Sequence, residues 1–324
     1  MDTSFSFLGL TVHGYGLCAA LAALTMLAGV SLLARREKLP AGTASLFTVL
    51  DVLLGVAGAR MVYCLFNLST FTETYENFWL TLRFFDGGLS MTGLLLGLLA
   101  ALAITAKAQK ISFAQMADIV CVPAGLAVGL LRLGEQFTDL GVGKAIEPSA
   151  ITDAMPWLFL QSRMGKAIES RLNVWAYEAV AGIVIFGLTL LIYHRLKKSR
   201  GDTALFFCLI FGATQILLES MRDDGHMLVI FLRIGQVTAA LLVLTAWIVL
   251  AHRWRSQYRG RVWPGWLGMI ACMLGIVLLE FSLDGRLTWG HPSMLRDYLI
   301  MTALCAIMFA IPYRLLCKTA GEGK

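Results

Sequence analysis

Charged side chains stand inside apolar runs or at their ends, among them Asp51, Arg60, Asp118, Arg132, Glu178 and Glu219, with Arg222 just beyond the last. A charge at the centre of a bilayer costs about 2.5–3.5 kcal/mol on insertion scales, so such residues turn toward a cavity or a partner. Asp51 and Arg60 are separated by ~13 Å along a helix rising 1.5 Å per residue, and cannot pair with each other. Arg60, Arg132, Glu219 and Arg222 all fall toward one end of their segments. Cations converging beside an apolar bundle suit a phosphate or a phospholipid headgroup, because the planar guanidinium fork binds phosphate bidentately. Ordinary ion pairing between helices and headgroup anchoring would account for the same charges without any chemistry.

The elements that must position these groups are membrane helices. Hydrophobic residues make up 58% of the chain and charged residues 15%, where a soluble domain carries roughly 25% charged residues. Nine apolar stretches are long enough, or nearly so, to span the ~30 Å hydrocarbon core as helices. They cover 16–33, 44–66, 89–106, 116–131, 175–193, 204–218, 235–250, 266–281 and 299–316. They lack the two-residue alternation of barrel strands, so the expected fold is an all-α polytopic membrane protein. Sixteen of the 27 basic residues, among them Arg35, Arg36, Lys107, Lys197, Arg200 and Arg253, fall on one set of short loops. The positive-inside rule places those loops in the cytoplasm, the N-terminus outside and the C-terminus inside. This bias accounts for the net charge of +6 without any nucleic-acid partner. No basic n-region precedes the first span, so a cleaved signal peptide is not expected.

Three regions follow from the pattern: a seven-span part over 1–251, a basic cytoplasmic loop over 252–264, and an appended two-helix hairpin with a short tail over 265–324. The longest loop, 132–174, is expected to act as a lid or interfacial helix, with MPWLFLQSRMGKAI (155–168) lying flat in the headgroup layer. Gly93 and Gly97 form a small-xxx-small spacing for close helix approach. Ser90 and Thr92 at that helix start could present backbone N–H groups to an anion. The seven cysteines contain no CxxC pair and read as small apolar packing residues.

Seven segments in order resemble prolipoprotein diacylglyceryl transferases: VHGYGL (12–17), GARMVYCLF (58–66), DGGLSMTGLLLGLL (86–99), the run from Lys107 to Glu135, AYEAVAGI (176–183), QILLESMRDD (215–224) and LRIGQV (232–237). The resemblance covers about residues 11–250. It implies a bacterial inner-membrane, multi-pass enzyme that moves the diacylglyceryl group of phosphatidylglycerol to the lipobox cysteine thiol beside a prolipoprotein signal peptide. No cofactor or metal is implied, and the oligomeric state is left open. Carried over residue by residue, it points to Arg132 as the phosphate clamp. It also points to Tyr15, Arg60, Tyr63, Ser90, Thr92, Gln215, Glu219, Arg222 and Gln236 as residues of the polar or lipid-binding cavity.

The chain departs from the family pattern at four places. The family histidine is Thr92, the arginine four residues before Glu219 is Gln215, the asparagine of the Arg-x-Gly-Asn signature is Glu135, and Leu172 and Asn173 stand where His-Pro should be. Neither threonine nor glutamine replaces a base or a phosphate-neutralising charge. Glu135 is the new ionisable group near Arg132, able to act as a base or to form an ion pair, and the catalytic set is read as Arg132, Glu135 and Glu219. His291–Pro292–Ser293 repeats part of the missing motif outside the resembling region and reads as chance. His13 and His226 read as solvated or interfacial residues. Two other classes fit parts of the pattern: a non-catalytic relative binding phospholipid or signal peptide, and a transporter with a path through Asp51 and Asp118, against which no inverted repeat is found.

Overall fold

The computed structural model describes residues 4–7, 10–74, 78–83, 88–146, 152, 154–155, 157–164, 167–223, 228–229, 232–287 and 294–321. Helices dominate: α1 Gly14–Arg36, α2 Thr43–Phe66, α3 Met91–Ala108, α4 Phe113–Gly134, α5 Val174–Leu191, α6 Asp202–Met221, α7 Ile234–Leu283 and α8 Met294–Gly321. Among the described residues, nine helical segments are long and apolar enough to cross a membrane, because α7 contributes two, Ile234–Trp254 and Val262–Leu283. Hydrocarbon leaves backbone polar groups no partner outside the segment, which is why these runs are helical. Outward-facing Leu24, Leu53, Ile183, Leu241, Leu274 and Leu299 are exposed, as a lipid-facing surface requires. Val30, Phe47, Ile119, Phe206, Val243 and Trp247 fill the interior, and α4 is the most enclosed span.

Helical hydrogen bonding runs through 252–264, the segment expected to be a loop, yet α7 is not straight. Gln236 and Glu280, 44 residues apart, are hydrogen-bonded at 2.6 Å, whereas a straight helix would part them by ~66 Å. The rings of Trp247 and Trp266 lie 6.0 Å apart. The helix therefore doubles back between these tryptophans, and its two limbs run antiparallel.

One end of the bundle carries short sheets. β1 Ser4–Phe7 and β2 Leu10–His13 form an antiparallel pair before α1. β3 Val142–Ile146, β4 Phe159–Met164 and β5 Ala167–Asn173 form an antiparallel sheet in the order β3-β5-β4. β6 Leu228–Val229 pairs with β7 Leu232–Arg233. The interfacial helix expected over 155–168 is therefore replaced by strands. Ser170 and Leu172 are buried while Glu169 and Arg171, alternating with them, are partly exposed, a two-residue period that fits a pleat and not a helix face. Asp223 N–H donates to the Val142 carbonyl at 2.9 Å, fastening this sheet to the end of α6.

The small-xxx-small expectation holds. A side chain on Gly93 would strike the Gly58 carbonyl, and one on Gly97 would strike the Leu54 carbonyl. Cys18, Cys64, Cys121, Cys272 and Cys305 are buried and unbridged. Asp224, His226 and the His291–Pro292–Ser293 triplet lie outside the described residues.

Candidate active site

The site begins with helix proximity. Gly182 of α5 sits against the backbone of Gly125 and Gly129 of α4, where any side chain would collide. Glu178 lies about one turn before Gly182, and Arg132 about one turn after Gly129. The close approach therefore brings Arg132 Nε to 3.4 Å from Glu178 Oε2. α6 adds Glu219 and the residue that follows its end, Arg222. Arg222 Nη1 donates to Glu178 Oε2 at 2.6 Å, and Nη2 to Glu135 Oε2 at 2.7 Å. Arg132 Nη1 donates to Glu135 Oε1 at 2.6 Å, and Arg132 Nη2 is 3.8 Å from Glu219 Oε1.

Two guanidiniums thus share three carboxylates, and all five side chains are buried, Arg222 completely at 0% exposure. Burying charges is costly unless each is paired and hydrogen-bonded. Here the pairing is incomplete. Among the described residues, Arg132 Nη2, Glu178 Oε1 and Glu219 Oε2 have no hydrogen-bond partner, and buried polar atoms in that condition call for an explanation.

Glu219 also faces a small cavity of ≈ 10 Å³, whose lining includes Thr92 of α3, Gln215 of α6, and Gly235 and Thr238 of α7. That is room for about one water. The Thr92 and Thr238 hydroxyls are hydrogen-bonded at 2.9 Å. Gly235 abuts the Glu219 carboxylate, which a side chain there would displace. Two of the uncharged departures from the family pattern, Thr92 and Gln215, therefore stand on one wall beside Glu219. Among the residues lining this cavity, Glu219 alone is ionisable. Tyr15 packs at Gly134 and lies close enough to interact electrostatically with Glu135.

Other sequence-derived candidates have different partners. Arg60 is buried and donates to the carbonyls of Thr81 (Nε, 2.8 Å), Leu80 (Nη2, 2.7 Å) and Gly88 (Nη1, 3.3 Å). It also lies over the rings of Tyr63 and Phe71, so Arg60 and Tyr63 hold the α2–α3 connection. The Ser90 backbone N–H donates to the Ala59 carbonyl at 3.0 Å and is not presented to an anion. Gln236 accepts from the Arg233 N–H through Oε1 at 3.1 Å and donates to Glu280 through Nε2. Asp118 accepts from the Gly201 and Ala204 N–H groups at 2.8 and 3.0 Å, capping the start of α6 rather than lining a path. Glu178, an embedded charge within the family-like segment AYEAVAGI, joins the site through both arginines. Among the described residues, no cluster of three or more His, Cys, Asp or Glu side chains suits a metal ion.

These features define a polytopic helical membrane protein with a buried arginine–glutamate site under a cap of short strands. A family model described as prolipoprotein diacylglyceryl transferase matches residues 2–252, most of the chain, and the chain belongs to that family. Among its relatives, a Symbiobacterium thermophilum phosphatidylglycerol--prolipoprotein diacylglyceryl transferase is 29% identical over 210 residues, covering 63% of this chain and 75% of the relative. The Thermotoga maritima protein of that name is 26% identical over 208 residues, 61% of this chain and 64% of its own, so the chain spans just under two thirds of its length. The Bacillus licheniformis one is 25% identical over 255 residues, 78% of this chain and 91% of the relative.

Proposed function

We propose that this chain transfers the diacylglyceryl group of phosphatidylglycerol to the cysteine thiol of a prolipoprotein in the bacterial cytoplasmic membrane. The observation that carries the reading is the pair of unsatisfied buried atoms, Arg132 Nη2 and Glu219 Oε2, in neighbouring side chains of a family-matching site. An N–H with no hydrogen-bond acceptor among the described residues suits a phosphate oxygen, and a carboxylate oxygen with no donor suits a thiol proton. In the proposed step Glu219 accepts the thiol proton and the sulfur attacks the glyceryl carbon. The C–S bond forms as the C–O bond to phosphate breaks, and glycerol phosphate leaves on Arg132 with the proton returned to it. Guanidinium stabilises that leaving group as its charge grows.

Glu135 is the weaker base of the two, since its oxygens already accept from Arg132 and Arg222; its role is to aim both guanidiniums. Support for the orientation comes from the far end of the bundle, where the basic loops meet. There Lys197 contacts Glu37 at 3.3 Å, Arg253 contacts Asp202 at 3.0 Å, and Arg36 contacts His194 at 3.4 Å. We place that end in the cytoplasm and the arginine–glutamate site at the outer side.

A second reading, a relative that holds phospholipid or signal peptide without turning it over, draws on the uncharged pair Thr92 and Gln215 at the cavity wall. Complementation of a bacterium depleted of its own diacylglyceryl transferase separates the two. The transferase reading requires rescue that disappears with Arg132→Ala at equal membrane expression. Absence of rescue by well-inserted wild-type protein sinks it in favour of the binding reading.

A further inference from the structure

The helical pair formed by the second limb of α7 and by α8 lies outside the family match, which ends at residue 252. It is nevertheless joined to the site by buried polar contacts. Glu280, 7% exposed, accepts from Gln236 Nε2 at 2.6 Å. Gln236 in turn closes the first turn of α7 through its bond to the Arg233 N–H. That same turn contains Gly235, which lies against the Glu219 carboxylate. From α8, the buried Tyr298 hydroxyl donates to the Ser220 carbonyl at 3.0 Å, next to Glu219 in the last turn of α6. Arg233 bonds the Arg222 carbonyl, tying the two turns to each other. Asp297, also buried, accepts from Ser282 at 2.7 Å, so the two appended helices are locked together where they meet the core.

We propose that this C-terminal helical pair orders the site, with Glu280 and Tyr298 as positioning residues that hold Glu219 at the cavity wall. The proposal rests on the transferase reading for its catalytic consequence, but the ordering itself does not. A carboxylate is the natural partner here because a charge-assisted bond to a buried amide is stronger than a neutral one. Gln236 is otherwise left with an unsatisfied donor, and its turn is free to shift. Sub-ångström to ångström displacements of a reacting group are enough to slow a reaction severalfold to a hundredfold.

The test uses full-length protein in detergent or nanodiscs, comparing wild type with Glu280→Leu, Glu280→Gln and Tyr298→Phe. Amide hydrogen exchange is followed over residues 216–222 and 234–238, and steady-state turnover of phosphatidylglycerol with a lipobox peptide is measured alongside. Glu280→Leu is expected to speed exchange in both segments about tenfold, with the α1 and α4 segments unchanged. It should also lower kcat about tenfold with KM within about twofold, the signature of lost transition-state alignment. Glu280→Gln keeps an acceptor for Gln236 and should restore both readouts to near wild type. Tyr298→Phe, a one-atom change that covers the case of a misfolded leucine variant, should shift both the same way and less. Unchanged exchange in Glu280→Leu and Tyr298→Phe overturns the proposal, as does faster exchange with undiminished kcat, or an effect confined to KM. A wild type without turnover overturns the transferase reading instead, and the exchange data still decide whether the appended pair orders the site.

Discussion

Among Arg132, Glu135, Glu178, Glu219 and Arg222, base separates from scaffold on two grounds together: an oxygen left over, which Glu178 and Glu219 both have, and a place on the cavity wall, which among the five only Glu219 has. Both oxygens of Glu135 are engaged, whereas Glu219 Oε2 has no hydrogen-bond partner. Glu219→Gln should therefore abolish nearly all turnover, measured as kcat/KM. Glu135→Gln should lower kcat/KM but leave a clearly measurable fraction of it, and the opposite order of losses would reverse the two roles. Glu178 touches both arginines, so Glu178→Leu leaves two buried guanidiniums short of counter-charge. Removing one partner of a buried pair costs ~3–5 kcal/mol. The expected result is a large drop in thermal stability; a melt within error of wild type would mean that the cluster is wetter than its burial implies.

Helix proximity is the condition for that cluster at the scale of the elements. α4 and α5 meet at Gly125, Gly129 and Gly182 with backbone against backbone, and this contact sets the reach of Glu178 to Arg132. Gly182→Leu should separate the helices at a cost of ~1–3 kcal/mol or more for overpacking, and activity should fall with it. Gly187 lies farther along α5, with nothing within 4 Å of an added methyl group. Gly187→Ala should accordingly raise stability by ~0.5–1 kcal/mol through better helix propensity. Differential scanning of the two variants checks the contrast, and equal effects would mean that α5 does not dock through Gly182. The three-stranded sheet plays a comparable part at the end of α6, where Val142 and Gly143 pair with Asp223 and Arg222.

Across the whole molecule, the two ends of the bundle are built differently. The site end is buried and ionic, whereas the opposite end is a partly exposed network of basic loops around Glu37. The Tyr193 hydroxyl donates to Glu37 Oε1 at 2.5 Å, and this bond, with Lys197 as a further contributor, holds the Glu37 carboxyl below its ordinary value of 4.5. A carboxyl depressed in the folded state stabilises the fold above the unfolded value and ceases to do so as pH falls through the folded one. Tyr193→Phe should thus lower the melting temperature at pH 7, and the gap should narrow as pH drops below about 4.5. A gap constant down to pH 3 would assign the effect to packing instead. Salt should shrink the Lys197 part, since that pair is solvent-accessible.

Hydropathy and residue type alone determined the helical membrane character, the nine spans, a close helix approach at Gly93 and Gly97, and the family likeness of seven segments in order. These are local properties: apolar length decides spanning, and small residues at four-residue spacing permit approach whatever the partner. Glu178 was visible as an embedded charge within a family-like segment. Its pairing with both arginines and the contact of Glu280 with Gln236 were not, because the helix rotation and partner that give such a charge its role are set by packing. Arg60 and Gln236 matched family positions, yet the first binds carbonyls of its own connection and the second binds a carboxylate 44 residues away. The strands within 142–173 were hidden because each is short, and β3 draws its hydrogen bonds from β5, which lies well beyond it in sequence. Only the tertiary structure decided which oxygens are engaged and which are left over, since a lone pair is satisfied by neighbours that the sequence does not place.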